Sequence, residues 1–114
     1  MTAEEALASH RSFINEVGET VYVRRFTGTP PSLTTTDTAT KARVMGYAPR
    51  EIVGPITEGD RKVIALVDTL SGILPLTTND ALVVRGKEMI IKAIDDNTRR
   101  IGGTLIALEL RVGG

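Results

Sequence analysis

The sequence predicts a mainly β fold of the α+β class: a small antiparallel β-barrel or sandwich with an N-terminal helix and a long protruding loop. Apolar residues recur at helical spacing over residues 2–17. From residue 19 onward, apolar residues instead occur at every second position in several short segments, and turns rich in glycine separate these segments. Short strands with one apolar face each, joined by such turns, are typical of small barrels and sandwiches.

The N-terminal helix is predicted over residues 2–17. Thr2 is a suitable N-cap, and Glu5, three positions later, completes the pattern of a capping box. Gly18 is expected to end the helix in a left-handed conformation. This helix must bury its apolar stripe against its own barrel or against a neighbouring subunit. The stripe consists of Ala3, Ala6, Leu7, His10, Phe13, Ile14 and Val17.

The first strand is predicted over residues 19–26, because Val21 and Val23 alternate with larger or charged side chains. A protruding loop is predicted to follow over residues 27–38, which contain two prolines, many threonines and one charge. Loops exposed to solvent are usually charged or rich in Gly and Ser. An intermolecular arm or hairpin therefore explains this segment better than its alternative, a mobile loop.

The remaining chain, residues 39–112, is predicted to form the β-domain. Its expected elements are a strand at 39–47, a bend at 49–55, a turn at 58–60, a strand at 61–68, an irregular connection at 69–79, a hairpin at 80–94, a loop at 95–103 and a final strand at 104–112. Gly86-Lys87 is expected to form the first half of the tight turn in the hairpin.

The amino-acid composition excludes several classes of function for this protein. With 114 residues, 41% hydrophobic and 25% charged, the chain is expected to fold as a single domain, 1–114. A formal net charge of zero argues against a domain built mainly to neutralise phosphate backbones. The chain has no cysteine, one histidine and no apolar run long enough to span a membrane. An acidic start without a signal-like segment predicts a cytoplasm-like compartment, or an assembly built there.

Candidate chemical sites are few. His10 lies on the helix stripe without partners at ligand spacing, which favours a packed or interface histidine. The segment Asp95-Asp96-Asn97 resembles part of a calcium loop, but Arg100 and Ile106 stand where the required Gly and Glu would be. Neither glycine pair is followed by the Lys-Ser or Lys-Thr of a P-loop. We therefore expect no metal, no cofactor and no catalytic residues.

Four basic residues can cluster if the first two strands pair, since Arg24 and Lys41 or Arg43 would then face the same side. Such a patch would contact phosphates without reading sequence. The alternative is a solvated strand face with surface ion pairs. The residues expected near DNA are Arg24, Arg25, Lys41 and Arg43.

The order of elements and several short motifs resemble the head-completion or stopper proteins in the neck of tailed bacteriophages and gene-transfer particles. The likeness covers most of the chain. The residues that carry it are Val23-Arg24-Arg25-Phe26-Thr27-Gly28, Gly46-Tyr47, Gly59-Asp60, Asp80-Ala81-Leu82-Val83-Val84-Arg85-Gly86-Lys87 followed by Ile91, and Glu109-Leu110-Arg111.

This resemblance implies a structural protein of the virion neck, assembled in the host cytoplasm. It implies a ring of copies that contacts the portal or adaptor on the head side and the tail terminator or tail tube on the other, and that closes the head after DNA packaging. The loop would reach into the channel or onto an adjoining subunit. The residues expected to contact a neighbour are Phe26, Thr29, Pro30, Pro31, Leu33 and Thr35.

Two other functions remain open at this point. A tail-terminator or tail-completion protein would bind the end of the tail tube instead of the portal side. A small β-barrel module for nucleic acid or a small ligand would need stacking aromatics, for which Tyr22, Phe26 and Tyr47 are the candidates. Catalysis is disfavoured because no acid–base or nucleophile constellation stands out.

Overall fold

The computed structural model describes residues 2–47, 49–56, 59–67, 70 and 72–114. Its elements are α1 (Ala3–Val17), β1 (Glu19–Thr27), β2 (Thr34–Gly46), a 3₁₀ turn (Pro49–Glu51), β3 (Arg61–Leu66), β4 (Ala81–Val84), β5 (Lys87–Asp95), β6 (Arg100–Ile101), β7 (Thr104–Leu105) and β8 (Ala107–Gly113). Six strands close an antiparallel barrel in the order β1-β2-β3-β8-β5-β4, and β6 and β7 form a separate small hairpin. The predicted fold class, a small β-barrel with an N-terminal helix, is confirmed.

Helix α1 begins as predicted. The Thr2 hydroxyl accepts a hydrogen bond from the Glu5 N–H at 3.1 Å, and the Thr2 N–H donates to Glu5 Oε1 at 3.2 Å, which completes the capping box. The predicted left-handed end at Gly18 is wrong, because Gly18 is extended, with φ −89° and ψ 179°. Glycine is needed for another reason: a Cβ there would lie 2.8 Å from the carbonyl oxygen of Ala42.

The barrel interior is filled by aliphatic side chains that alternate along the strands. Fully buried members include Val21, Val23, Ala42, Val63, Ala65, Leu82, Ile91, Leu108, Leu110 and Val112. Helix α1 packs outside this barrel on β2 and β3. It buries Ala6 and Ile14 but leaves Phe13 49% and Val17 44% exposed. The apolar stripe of the helix is therefore only partly covered by its own chain.

Three boundaries differ from the sequence prediction. The tight turn between β4 and β5 is Arg85-Gly86, one residue earlier than predicted, and both residues have positive φ, 52° and 80°. That conformation matches the right-handed twist of a two-residue hairpin. The predicted final strand is interrupted at Ile106, between β7 and β8. Of the predicted strand 61–68, residues 61–66 form β3 and residue 68 lies outside the described residues.

The largest correction concerns the predicted loop at 27–38. Strand β1 continues to Thr27, and β2 begins at Thr34, so only residues 28–33 connect them. Residues 34–38 pair in register with residues 23–27. The threonine run favours a strand because β-branched side chains fit the pleated backbone. The prolines lie only in the connection between β1 and β2, so they restrict the backbone there and not in the strands. The segment is thus the upper part of a β-hairpin, and the β-domain begins well before residue 39.

Candidate subunit interface

A two-stranded arm projects from the barrel. Strand β4 pairs with β1 only at residues 22–24, and β3 pairs with β2 only at residues 42–46. Within the described part of the chain, residues 25–27 and 34–36 therefore pair only with each other. We call residues 25–38 the hairpin arm.

The arm is exposed on both faces. Every residue from 26 to 37 is exposed, including Phe26 at 37% and Leu33 at 48%. An isolated two-stranded hairpin is marginally stable in water because it has no sheet face to bury. An arm of this kind therefore gains stability when another surface covers it.

The tip of the arm has a defined conformation. Ser32 N–H donates to the Thr29 carbonyl oxygen at 2.8 Å, and the hydroxyls of Thr27 and Thr34 lie 2.7 Å apart. Gly28 has a φ of 94°, and a Cβ there would lie 2.8 Å from the Ser32 carbonyl oxygen. The connection is thus a structured turn. Because the turn is already ordered in the free protein, the arm loses less conformational entropy when it docks.

The outer edge of β2 lacks the usual protection. Natural edge strands carry lysines, prolines or bulges that prevent pairing with other chains. Residues 34–38 contain four threonines and Asp37. The Asp37 carboxylate is occupied by Arg24, whose Nε and Nη2 donate to its two oxygens at 2.9 and 3.0 Å. These bonds lower the pKa of Asp37. The free edge is therefore compatible with addition of a strand from another chain.

The base of the arm is held by a second arginine. Arg25 Nη2 donates to the carbonyl oxygens of Ile73 and Pro75 at 2.9 and 3.2 Å, and its guanidinium also pairs with Asp80. Asp80 is 5% exposed. Burial raises its pKa, but hydrogen bonds from Arg25 and from the Thr77 N–H outweigh that effect, so the pKa of Asp80 is lowered. This network fixes the arm relative to the barrel.

The six residues predicted to contact a neighbour all lie on the arm. Phe26 and Thr35 are directly paired across the strands, and Leu33 immediately precedes β2. Thr29, Pro30 and Pro31 form the exposed tip. The sequence prediction therefore grouped side chains that the fold brings together, although contact with another subunit stays a prediction.

The four basic residues predicted to lie near DNA have different surroundings. Arg24 and Lys41 share the outer face, as expected, but Arg24 is bonded to Asp37 and to Glu88, the latter at 3.1 Å. Arg25 reaches the buried Asp80. Arg43 lies over the ring of Phe13, 5.5 Å from its centroid. Strand pairing places a carboxylate or a ring beside three of the four cations, which the spacing of basic residues alone does not show.

Sequence analysis missed two features of this region. One is the set of acidic partners, for which a signal exists: Asp37 is the only charge in the threonine-rich segment, and the strand register places it opposite Arg24. The other is an open cavity of about 400 Å³ between α1 and the barrel. It is lined by His10, Phe13, Ile14, Arg43, Met45, Ile64 and Arg99. His10 is a packed histidine whose Nδ1–H donates to the Ala6 carbonyl oxygen at 2.9 Å.

No protein-family model, curated protein or solved structure matches the chain. Within the described ranges, the side chains form no group of three or more His, Cys, Asp or Glu arranged to hold a metal ion. No helix in that part of the chain has the length and hydrophobicity that a membrane crossing requires.

Proposed function

We propose that this protein is a non-enzymatic structural subunit of the neck of a tailed bacteriophage or gene-transfer particle. It closes the head after DNA packaging and links the portal or adaptor ring to the tail, and its hairpin arm docks onto a neighbouring subunit. The observation that carries this proposal is the arm, whose residues 26–37 are all exposed and, apart from Asp37, uncharged. The resemblance of the short sequence motifs supplies the biological setting.

Three properties of the arm support docking. Its tip is preformed, so less conformational entropy is lost on binding. Its strand edges are free, so backbone groups are available for hydrogen bonds to another chain. Its base is tied to the barrel through Arg25 and Asp80, so force on the arm is transmitted to the barrel. A solvated loop needs none of these properties.

The ion pairs argue against the nucleic-acid-binding alternative. Tyr22, a stacking candidate, lies on the outer face of the barrel, where Arg24 is neutralised by Asp37 and Glu88. A surface that binds single strands combines stacking aromatics with unpaired cations. In the neck proposal, packaged DNA lies near the ring without being held by this face.

The test replaces the tip of the arm and leaves the barrel intact. Removing residues 28–33 and joining Thr27 to Thr34 through Asn-Gly keeps the strand register and supplies a two-residue hairpin turn. The shortened protein should fold but lose at least tenfold in binding to purified DNA-filled heads, measured by co-sedimentation, and should fail to join heads to tails. Val53→Asp, at a side chain 65% exposed outside the arm, is the matched control and should bind normally.

Wild-type affinity and head–tail joining by the shortened protein would overturn the proposal. Separate assays with purified heads and purified tails decide between the neck role and the tail-completion role. Binding to heads, and to tails only through the head-bound ring, is expected for the neck protein. Direct arm-dependent binding to free tails, without binding to heads, would assign the chain to the tail end.

A further inference from the structure

A cavity of about 430 Å³ lies at the end of the barrel away from the hairpin arm. Its lining includes Val44 near the end of β2 and Arg61 at the start of β3 on one side. Val84 at the end of β4 and Lys87 at the start of β5 line the other side. Strands β8 and β1 separate these two pairs of strands in the closed barrel, so the cavity lies between opposite walls. We call this cavity the barrel mouth.

Two cations occupy inward positions of the barrel wall at this mouth. Side chains two residues apart on a strand lie on the same face of the sheet. Arg61 stands two residues before the fully buried Val63, and Lys87 stands two residues before Met89, which belongs to the barrel core. The alternation that fills the interior with aliphatic side chains therefore ends in a cation on each of these two strands.

A third cation at the mouth, Arg85, is already neutralised. Its Nη2 lies 2.6 Å from Glu19 Oε2, and the Arg85 side chain is 68% exposed. Lys87 has a different neighbour, because it lies beside Gly114, where a Cβ would be 3.0 Å from the Lys87 Nζ. Lys87 forms no ion pair with any residue that the structure describes. The ammonium group of Lys87 is therefore available to an anion from outside the chain.

Arg61 is held in place without being neutralised. Its Nη1 donates to the backbone carbonyl oxygens of Gly59 and Asp60 at 3.0 and 3.1 Å. The Asp60 carboxylate bonds to Lys92 instead, whose Nζ lies 2.7 Å from Oδ1. Among the described residues, no carboxylate pairs with Arg61. The mouth is thus lined by two cations, Arg61 and Lys87, whose charge is not compensated by these residues.

The floor of the mouth is apolar. Val84 is 5% exposed and Met89 is 7% exposed, and both belong to the barrel core. Val44 packs against that core and is partly buried. The cavity of about 430 Å³ lies within the range of ~300–1,000 Å³ that is typical of pockets for small molecules. Core side chains fill the barrel beyond these residues, so a ligand that fits the mouth has to be short.

We propose that the barrel mouth binds a small organic anion with a short alkyl chain, of the class of the aliphatic monocarboxylates. The carboxylate of the ligand accepts charge-assisted hydrogen bonds from Arg61 and Lys87. Its alkyl chain covers the apolar floor, which contributes a hydrophobic term that an inorganic anion cannot provide. This site lies outside the hairpin arm and does not depend on the proposed function of the arm.

The test uses hexanoate as the probe and the full chain, labelled with ¹³C at the methyl groups of methionine and valine. Hexanoate should shift the methyl signals of Met89 and Val84 until they saturate, with a Kd of about 5 mM or lower. Acetate should bind at least tenfold more weakly, because burial of two of the four additional methylene groups accounts for about that factor. 1-Hexanol keeps the alkyl chain but lacks the charge, and it should also bind at least tenfold more weakly.

Two variants remove one cation each from the mouth. Lys87→Met and Arg61→Met keep an unbranched side chain without the charge, and each should weaken the binding of hexanoate about fivefold or more. Lys41→Met is the matched control, because Lys41 is an exposed cation on the outer face of β2. This control should bind hexanoate as the wild type does. Thermal unfolding of the three variants shows that each is folded.

Any of three results would overturn the inference. The first is that hexanoate causes no saturable shifts at Met89 and Val84 up to about 50 mM. The second is that inorganic phosphate binds as tightly as hexanoate, because the apolar floor would then contribute nothing. The third is an equal loss of affinity in Lys41→Met and Lys87→Met. The mouth and the arm lie at opposite ends of the barrel, so none of these results bears on the docking of the arm.

Discussion

Arg25 and Asp80 form a bidentate ion pair that joins the base of the hairpin arm to the segment before β4. Arg25 Nε and Nη2 lie 3.0 Å from the two carboxylate oxygens of Asp80. Asp80 also accepts the Thr77 N–H at 2.9 Å, so the carboxylate is bonded from two directions. Because the acid is buried and the arginine side chain is 33% exposed, the two partners are not equivalent.

Removing the arginine should therefore cost more than removing an exposed partner. Arg25→Leu leaves the buried Asp80 without its cation, and we expect a loss of about 2–3 kcal/mol in the free energy of unfolding, measured in urea. Arg24→Leu is the control, since its acids are exposed and an exposed pair contributes about 1 kcal/mol or less. Equal losses in the two variants would show that the Asp80 carboxylate is hydrated.

The carboxyl group of Asp95 should make stability depend on pH in acid. The Thr98 hydroxyl and the backbone N–H groups of Thr98 and Asn97 lower the pKa of Asp95 from 3.8 to about 2. A lowered pKa in the folded state stabilises the protein above the unfolded value, and this contribution is lost as pH falls from about 4 to 2. The urea midpoint should fall over this range, and less steeply in Asp95→Asn.

The lowered pKa of Asp95 is checked directly by following the NMR chemical shift of its carboxyl carbon as the pH is changed. In the wild-type chain it should titrate near pH 2, and in Thr98→Ala it should titrate closer to 3.8, because the side-chain donor is the largest cause of the shift. An unchanged midpoint in Thr98→Ala would contradict the role of that hydroxyl.

Gly18 and Gly46 should respond oppositely to an added methyl group. At Gly18 a Cβ would lie 2.8 Å from the Ala42 carbonyl oxygen, whereas at Gly46 nothing lies within 4 Å. Overpacking against backbone predicts a loss of about 1–3 kcal/mol for Gly18→Ala. Gly46→Ala should be neutral or slightly stabilising. Chemical denaturation of the two variants measures the difference, and a neutral Gly18→Ala would mean that the backbone at residue 18 can move away from the carbonyl oxygens of both Ile14 and Ala42.

An ion pair with a buried carboxylate also links β5 to the chain just before β3. Lys92, at the bulge in β5, places its Nζ 2.7 Å from Asp60 Oδ1, and Asp60 is 3% exposed. A double-mutant cycle with Asp60→Ala and Lys92→Met should give a coupling energy of about 1.5–3 kcal/mol. The exposed pair of Glu19 and Arg85 is the control, with an expected coupling of about 0.2–1 kcal/mol. Similar couplings would contradict the difference in burial.

Patterns formed by residues close together in the sequence are sufficient to predict much of the fold. The capping box at Thr2 and Glu5 depends on neighbours three residues apart, so the sequence predicts it directly. The hairpin of β4 and β5 follows from alternation and a glycine-containing turn, with an error of one residue in the turn position. The arm was recognised from its unusual composition, since threonine and proline favour an extended backbone wherever they occur.

Tertiary structure decided what depends on partners distant in the chain. The extent of the arm was misjudged because the threonines of β2 become a strand only when residues 23–27 pair with them. Whether an arginine is paired depends on which acidic residue the barrel places beside it. Arg24 and Asp37 are 13 residues apart in the sequence, and Arg25 and Asp80 are 55 residues apart. Composition and periodicity are local properties, and they determined the helix, the strands and the arm. Barrel closure determined the ion pairs and the cavity between α1 and the barrel, because closure brings together side chains that are far apart in the sequence.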